Sequence, residues 1–142
     1  MSVEFCDTNI LVYAYDTSAH TKRELARELV ERLWREDSGA VSIQVLQELF
    51  VTLTRKIASP VQTRIARGIV ADLASWRVVE PRTGDILAAI DATERWRVSF
   101  WDAMILTAAE RAGARVVWSE DLAHGQSYDG LTVRNPLRSE PH

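Results

Sequence analysis

Four short stretches carry side chains whose types suit chemistry on a phosphate: "CDTN" at Cys6–Asn9, "LQEL" at Leu46–Leu49, "FWDA" at Phe100–Ala103 and "WSED" at Trp118–Asp121. Each presents a carboxylate: Asp7, Glu48, Asp102, and Asp121 with Glu120 beside it. No cysteine or histidine accompanies them at metal-ligand spacing. Two carboxylates about 4 Å apart repel by ~1 kcal/mol in water and ~4 kcal/mol at an effective dielectric near 20. A cluster of four is tenable only if protons or cations neutralise it. Hard oxygen donors of this kind suit Mg²⁺ or Mn²⁺, which keep several waters and leave room for a phosphate. Such an ion activates water and stabilises the leaving oxygen of a phosphodiester.

Whether the four meet depends on the elements that carry them. Val3–Cys6 reads as a short buried strand and Ile10–Tyr15 as an apolar helix start, with Asp7 and Asn9 between. Helical periodicity covers Thr21–Asp37, where Leu25, Leu29, Val30, Leu33 and Trp34 share a face. Gly39–Ile43 reads as a strand and Gln44–Ile57 as a helix; Ser59-Pro60 is a break, and Gln62–Ser75 is helical. Trp76–Glu80 is a strand, Gly84–Trp96 a helix, Arg97–Phe100 a short extended piece, and Trp101–Ala112 a helix ended by Gly113. Arg115–Ser119 is a strand, a polar loop follows, and Leu131–Asn135 is the last strand. Strands alternating with helices predict an α/β fold with a mainly parallel sheet, as one domain over residues 1–142. Ligands of such sheets bind beyond the carboxyl ends of the strands. Asp7 and Asp121 fall there directly; Asp102, which opens a helix, and Glu48, about one turn into another, lie within reach.

Each acid also has a plainer reading. Asp7 can cap the helix that begins near Asn9. Asp102 follows Ser99 in an S-x-x-D capping arrangement. Glu48 points away from Leu49 and Leu53 on a helical wheel, as on a solvated face. Asp121 can be a loop turn, and Glu120 is an equal candidate on chemistry.

Composition narrows the field. The chain has 142 residues, 46% apolar and 26% charged, which is globular. Its 17 basic against 20 acidic residues give −3, unlike a protein that coats nucleic acid by bulk charge. A nuclease is compatible with that balance, because a metal-filled site supplies local positive charge. The single Cys6 permits no internal disulfide and points to a reducing cytosol; inside an apolar strand it reads as a small buried side chain. No signal peptide or membrane-crossing run is visible, so the expectation is a soluble, cytoplasmic protein. His20, His124 and His142 read as surface or loop residues.

The four blocks together resemble the PIN-domain ribonucleases: "FCDTNILVYAY", Glu48 within "SIQVLQELF", Asp102 within "SFWDAMILTAA", and "VVWSEDLAHGQSYDGLTVRNPL". Within that family the likeness is greatest to the VapC-type toxins of bacterial toxin–antitoxin pairs, and it runs from Val3 to Pro136. The resemblance implies a three-layer α/β/α sandwich and metal-dependent endonucleolytic cleavage of RNA. It implies that Asp7, Glu48, Asp102 and Asp121 hold one or two Mg²⁺ or Mn²⁺ ions, with Asp7 and Asp102 as direct ligands. Asn9 and Ser119 become polar supports, Asn9 fixing the Asp7 carboxylate. It further implies a homodimer silenced by a small cognate antitoxin protein.

Two features of the rest bear on RNA. Arg55, Lys56, Arg64 and Arg67 cluster around Ser59-Pro60 and suit either phosphate contact or a solvated helix surface. Of Trp34, Trp76, Trp96, Trp101 and Trp118, most read as core or subunit contacts, while Trp101, beside Asp102, can stack on an unpaired base. Dehalogenase-type phosphatases and response-regulator receivers also place an aspartate after the first strand. Both need a late lysine, and no lysine follows Lys56. The remaining alternative is a catalytically silent PIN-like module that binds RNA or protein.

Overall fold

The computed structural model describes residues 2–138; His142 lies outside them. The order is β1 (Val3–Cys6), α1 (Thr8–Tyr15), α2 (Thr21–Glu36), β2 (Gly39–Ser42), α3 (Ile43–Arg55), α4 (Thr63–Leu73), β3 (Arg77–Val79), α5 (Thr83–Trp96), α6 (Phe100–Arg111), β4 (Ala114–Trp118), β5 (Ser127–Tyr128) and β6 (Leu131–Arg134). The six strands form one sheet in the order β3-β2-β1-β4-β6-β5, parallel except for the β5–β6 pair.

That order decides the layers. The chain steps from β1 to β2 to β3 in one direction, then returns past β1 to β4. Right-handed crossovers therefore lay α1–α4 on one face and α5–α6 on the other, the expected three-layer sandwich. The Arg32 guanidinium of α2 reaches the Glu4 carboxylate on β1 at 2.7 Å and 2.9 Å, which fixes the face that α2 covers. Phe5, Val41, Val117 and Val133 are fully buried strand residues, and Leu11, Leu33, Leu49, Leu53 and Leu106 complete the core from the helices. β2 is buried along its whole length, as a strand covered on both faces requires, whereas β4 and β6 each mix buried residues with partly or fully exposed ones.

β1 and β4 are neighbours, in register from Glu4↔Val116 to Cys6↔Trp118. They straddle the point where strand order reverses, where a crevice opens at the carboxyl edge of such sheets.

Two expectations are corrected. Arg97–Phe100 is no extended piece. Arg97 ends α5 in the left-handed conformation (φ 53°), and Ser99 already caps α6, so the two helix ends consume the segment. The polar loop after β4 contains a strand, β5, joined to β6 by Asp129-Gly130 with φ of 50° and 93°. Positive φ at both central residues is the signature of a tight hairpin turn. Among the described residues no helix is long and apolar enough to cross a membrane.

Candidate functional site

The carboxyl edge of β1 and β4 is where the chemistry-bearing residues gather. Asp7 directly follows β1. Its backbone N–H donates to the Trp118 carbonyl at 2.9 Å, so it extends the strand pairing by one position. Its extended φ and ψ and its bond from the Thr8 N–H (2.7 Å) make it the N-cap of α1 as well. Capping and a place at the carboxyl edge of the sheet coincide in one residue.

Ser119, fully buried after β4, faces it and donates its hydroxyl to Asp7 Oδ2 at 2.9 Å. The same Ser119 oxygen accepts the backbone N–H groups of Asp121 and Leu122, each at 3.2 Å. With its lone pairs engaged, the serine has its proton directed at Asp7. Asn9 was expected to fix Asp7; instead its amide donates to Asp121 Oδ2 at 2.7 Å. The reason is helical geometry: Asn9 lies two positions past the cap, on the first turn of α1, where its side chain reaches across to the β4 loop.

Glu48 is exposed on α3, yet it is tethered. Thr8 Oγ1 donates to one carboxylate oxygen and Gln44, one turn earlier, to the other, both at 3.0 Å. Asp102 sits in the first turn of α6, its N–H bonded to the Ser99 hydroxyl at 3.1 Å. The positive end of that helix favours the carboxylate there.

Glu120 separates from Asp121. Tyr13 donates to it at 2.6 Å and Lys22 at 3.0 Å. Burial raises its pKa, but those two bonds prevail and hold it below the usual glutamate range. Glu120 is thus a clasp between the β4 loop and α1–α2, and Asp121 faces the other acids. Thr8, Gln44, Tyr13 and Lys22 were missed from sequence. Gln44–Glu48 has the i,i+4 spacing that announces such a pair; the long-range Tyr13 and Lys22 contacts leave no local trace.

The electrostatics tie the acids together. Asp7 is 7% exposed, and burial pushes its pKa from 3.8 to about 6. Bonds from Ser119 and Thr8 oppose the rise, while the charges of Asp121 and Glu48 add to it. Partial burial also raises Asp121, helped by the charges of Asp102, Glu120 and Glu48 and opposed by Asn9. Asp121 and Glu48 thus bear on Asp7, and Asp102 and Glu48 on Asp121, at the same edge. Among the described residues, no three His, Cys, Asp or Glu side chains are gathered as a ready-made metal cage. Asp7, Glu48 and Asp121 each accept a hydrogen bond from a side chain of their own, Ser119, Thr8 and Asn9 respectively. The donor set, all hard oxygen around a buried carboxylate, fits Mg²⁺ or Mn²⁺.

The other candidates are peripheral. Arg55, Lys56, Arg64 and Arg67 are exposed on α3, α4 and their connection. Trp101 is 64% exposed, edge-on to Phe100 at 5.0 Å, with its other face open. Trp76 is buried against Trp34, and Trp118 donates to Glu4 at 2.9 Å. Cys6 is buried, and desolvation raises its thiol far above the ordinary range, so it is no nucleophile.

Comparison with known proteins bears on this arrangement. The PIN-domain profile matches residues 5–126. The chain belongs to the PIN-domain family. That match runs from β1 through the loop that carries Asp121. Similar solved structures include a toxin–antitoxin complex from Klebsiella pneumoniae (TM-score 0.69, 18% identity, covering 95% of this chain and 98% of that one). DNA-bound VapBC from Salmonella typhimurium is similar as well (TM-score 0.63, 19% identity, 96% and 99% covered). So is VapC20 from Mycobacterium tuberculosis, a Sarcin-Ricin loop cleaving toxin (TM-score 0.63, 21% identity, 83% and 89% covered). At these identities the likeness is one of fold. No curated protein sequence matches the chain.

Proposed function

We propose that this PIN domain, spanning residues 1–142, is a Mg²⁺- or Mn²⁺-dependent endoribonuclease and the toxin of a toxin–antitoxin pair. The observation that carries the reading is the adjacency of β1 and β4 at the reversal of strand order, which sets buried Asp7 among the charges of Asp121 and Glu48. Asp7 and Asp102 are the direct ligands of one or two ions, and Glu48 and Asp121 complete the acidic edge. When bound, the metal neutralises this charge and activates water against an RNA phosphodiester. The chain's own residues do the positioning. Ser119 fixes one oxygen of Asp7 while two backbone donors fix Ser119, Asn9 aims Asp121, and Thr8 and Gln44 aim Glu48. A ligand on a strand-to-helix junction is held more rigidly than one on a mobile loop.

Supporting roles follow from exposure. Trp101 offers an open ring for an unpaired base, and Arg55, Lys56, Arg64 and Arg67 offer charge to phosphates. Ile86, Leu87 and Ile90 on α5 are 42%, 59% and 50% exposed, an apolar face suited to a homodimer. A toxin of this fold takes a cognate antitoxin, as the complexes of similar fold do. The single buried Cys6 suits a cytoplasmic setting.

The test is cleavage of a broad set of RNAs by purified protein with and without Mg²⁺ or Mn²⁺. Metal-stimulated cutting that Asp7→Asn abolishes supports the reading. Absence of any stimulated cutting favours the silent binding module. Growth arrest on expression, relieved by a neighbouring gene's product, separates a toxin from a housekeeping nuclease.

A further inference from the structure

The face of the sheet that α2 covers is only half roofed. Beyond α2, the β4 and β6 side chains on that face are Val116, Trp118, Thr132 and Arg134, paired in register as Val116↔Thr132 and Trp118↔Arg134. Two open cavities lie along them, of about 480 Å³ between α2 and the end of β6 and about 500 Å³ toward the start of β1. Trp118 and Arg134 line both, so the two form one trough.

Its charge differs from that of the whole chain. Arg35 and Arg138 line the first cavity, Arg115 the second, and Arg134 both. None of these four forms an ion pair among the described residues. Arg32, by contrast, is committed to Glu4 and Glu36. The α2 wall brings Glu28 and Glu31, of which Glu31 lies 3.7 Å from Arg27. A molecule of net charge −3 thus concentrates unpaired guanidinium groups in one groove.

The trough is joined to the catalytic edge. Trp118 on its floor precedes Ser119 in the chain, and the Ser119 N–H donates to the Arg134 carbonyl at 2.9 Å. His124, in the loop that carries Asp121, accepts the Asn135 N–H at 3.0 Å and lines the same cavity.

The geometry points to the trough between α2 and β6 as an extended binding site for the phosphate backbone of single-stranded RNA, outside the acidic edge. This rests on the nuclease reading of that edge and adds how the substrate is gripped away from the cut. Several unpaired guanidiniums along one groove need a ligand with repeated anionic groups. The polymer that reaches the acidic edge is such a ligand, and arginine's planar fork matches its phosphates. An acidic peptide is the rival occupant, and the experiment discriminates.

Binding of a fluorescent single-stranded RNA of about 20 nucleotides is measured against salt in EDTA, where no cleavage occurs. The wild-type chain is compared with an Arg134→Glu/Arg138→Glu variant. Both side chains are exposed, and a circular-dichroism melt verifies the fold. Loss of two phosphate contacts lowers the slope of log K against log salt by about 1.4 and weakens binding by about ten-fold or more. Unchanged affinity and slope overturn the proposal. Equal or tighter binding of a poly-glutamate probe by the wild-type chain also overturns it, in favour of an acidic protein partner. Metal-stimulated cleavage is assayed separately on a short oligonucleotide: its absence sinks the nuclease reading and leaves the binding result standing, whereas its presence with unchanged binding sinks the trough alone.

Discussion

Asp7→Asn should make the metal-free protein more stable while removing its response to metal. Burial raises the Asp7 pKa from 3.8 to about 6, and the nearby Asp121 and Glu48 charges push the same way. The folded state then holds a proton that the unfolded state releases between those values. Stability from this group is present below pH 3.8 and is lost as pH rises through about 6. A difference of about two pKa units corresponds to ~3 kcal/mol at neutral pH. Asparagine keeps the cap, since it serves at that position as well as aspartate does. Its amide nitrogen then faces the Ser119 hydroxyl, whose oxygen is already engaged by two N–H groups, and the lost bond takes back about 1 kcal/mol. In EDTA at pH 7.5 the variant, with a net gain of about 2 kcal/mol, should therefore melt higher by roughly 4–8 °C, at about 2–4 °C per kcal/mol. That gain should shrink toward zero at pH 4. Mg²⁺ at a hundred times its Kd should then raise the wild type by about 2.7 kcal/mol and leave the variant unmoved. Thermal melts across pH and metal concentration read all three. A variant no more stable than wild type at pH 7.5, or a gain independent of pH, would refute the argument that Asp7 is an uncompensated buried charge.

Further outcomes follow from the same contacts. Ser119→Ala removes the donor to Asp7 and the acceptor of two buried N–H groups; denaturant melts should show a loss of about 1–3 kcal/mol, with cleavage reduced. Glu120→Gln should retain cleavage within about ten-fold, whereas Asp121→Asn should lose more than a hundred-fold, because only Asp121 faces the acidic edge. Gly39→Ala places a methyl 2.6 Å from the Trp76 ring and should cost about 1–3 kcal/mol in urea unfolding, with no change in metal affinity.

Much of this architecture was legible before any coordinates. β1, β2, β4 and β6 are apolar runs bounded by breaks, and their alternation with helices announces a parallel sheet. Asp7, Asp102 and Asp121 were legible as candidates because each lies where an element starts or stops, whereas Glu48 sits inside α3. The failures share a cause. Arg97–Phe100 contains Val98 and Phe100, residues that favour strands, but two abutting helices leave no strand to pair with. β5 is two residues long, below what periodicity detects, although Asp129-Gly130 is a hairpin signal. Asn9 was assigned to the nearest carboxylate in sequence, whereas its partner is 112 residues away. The Tyr13–Glu120–Lys22 clasp and the trough beside α2 likewise depend on which strands become neighbours.

Metal-dependent cleavage at this edge requires Asp7, Glu48, Asp102 and Asp121 to close around a divalent ion. Anomalous scattering from a crystal grown with Mn²⁺ tests it most directly. The predicted result is a peak bounded by the Asp7 and Asp102 carboxylates, with Glu48 and Asp121 turned toward it, and no such peak in Asp7→Asn. Manganese bound elsewhere, or no peak at this edge at saturating metal, would contradict the account.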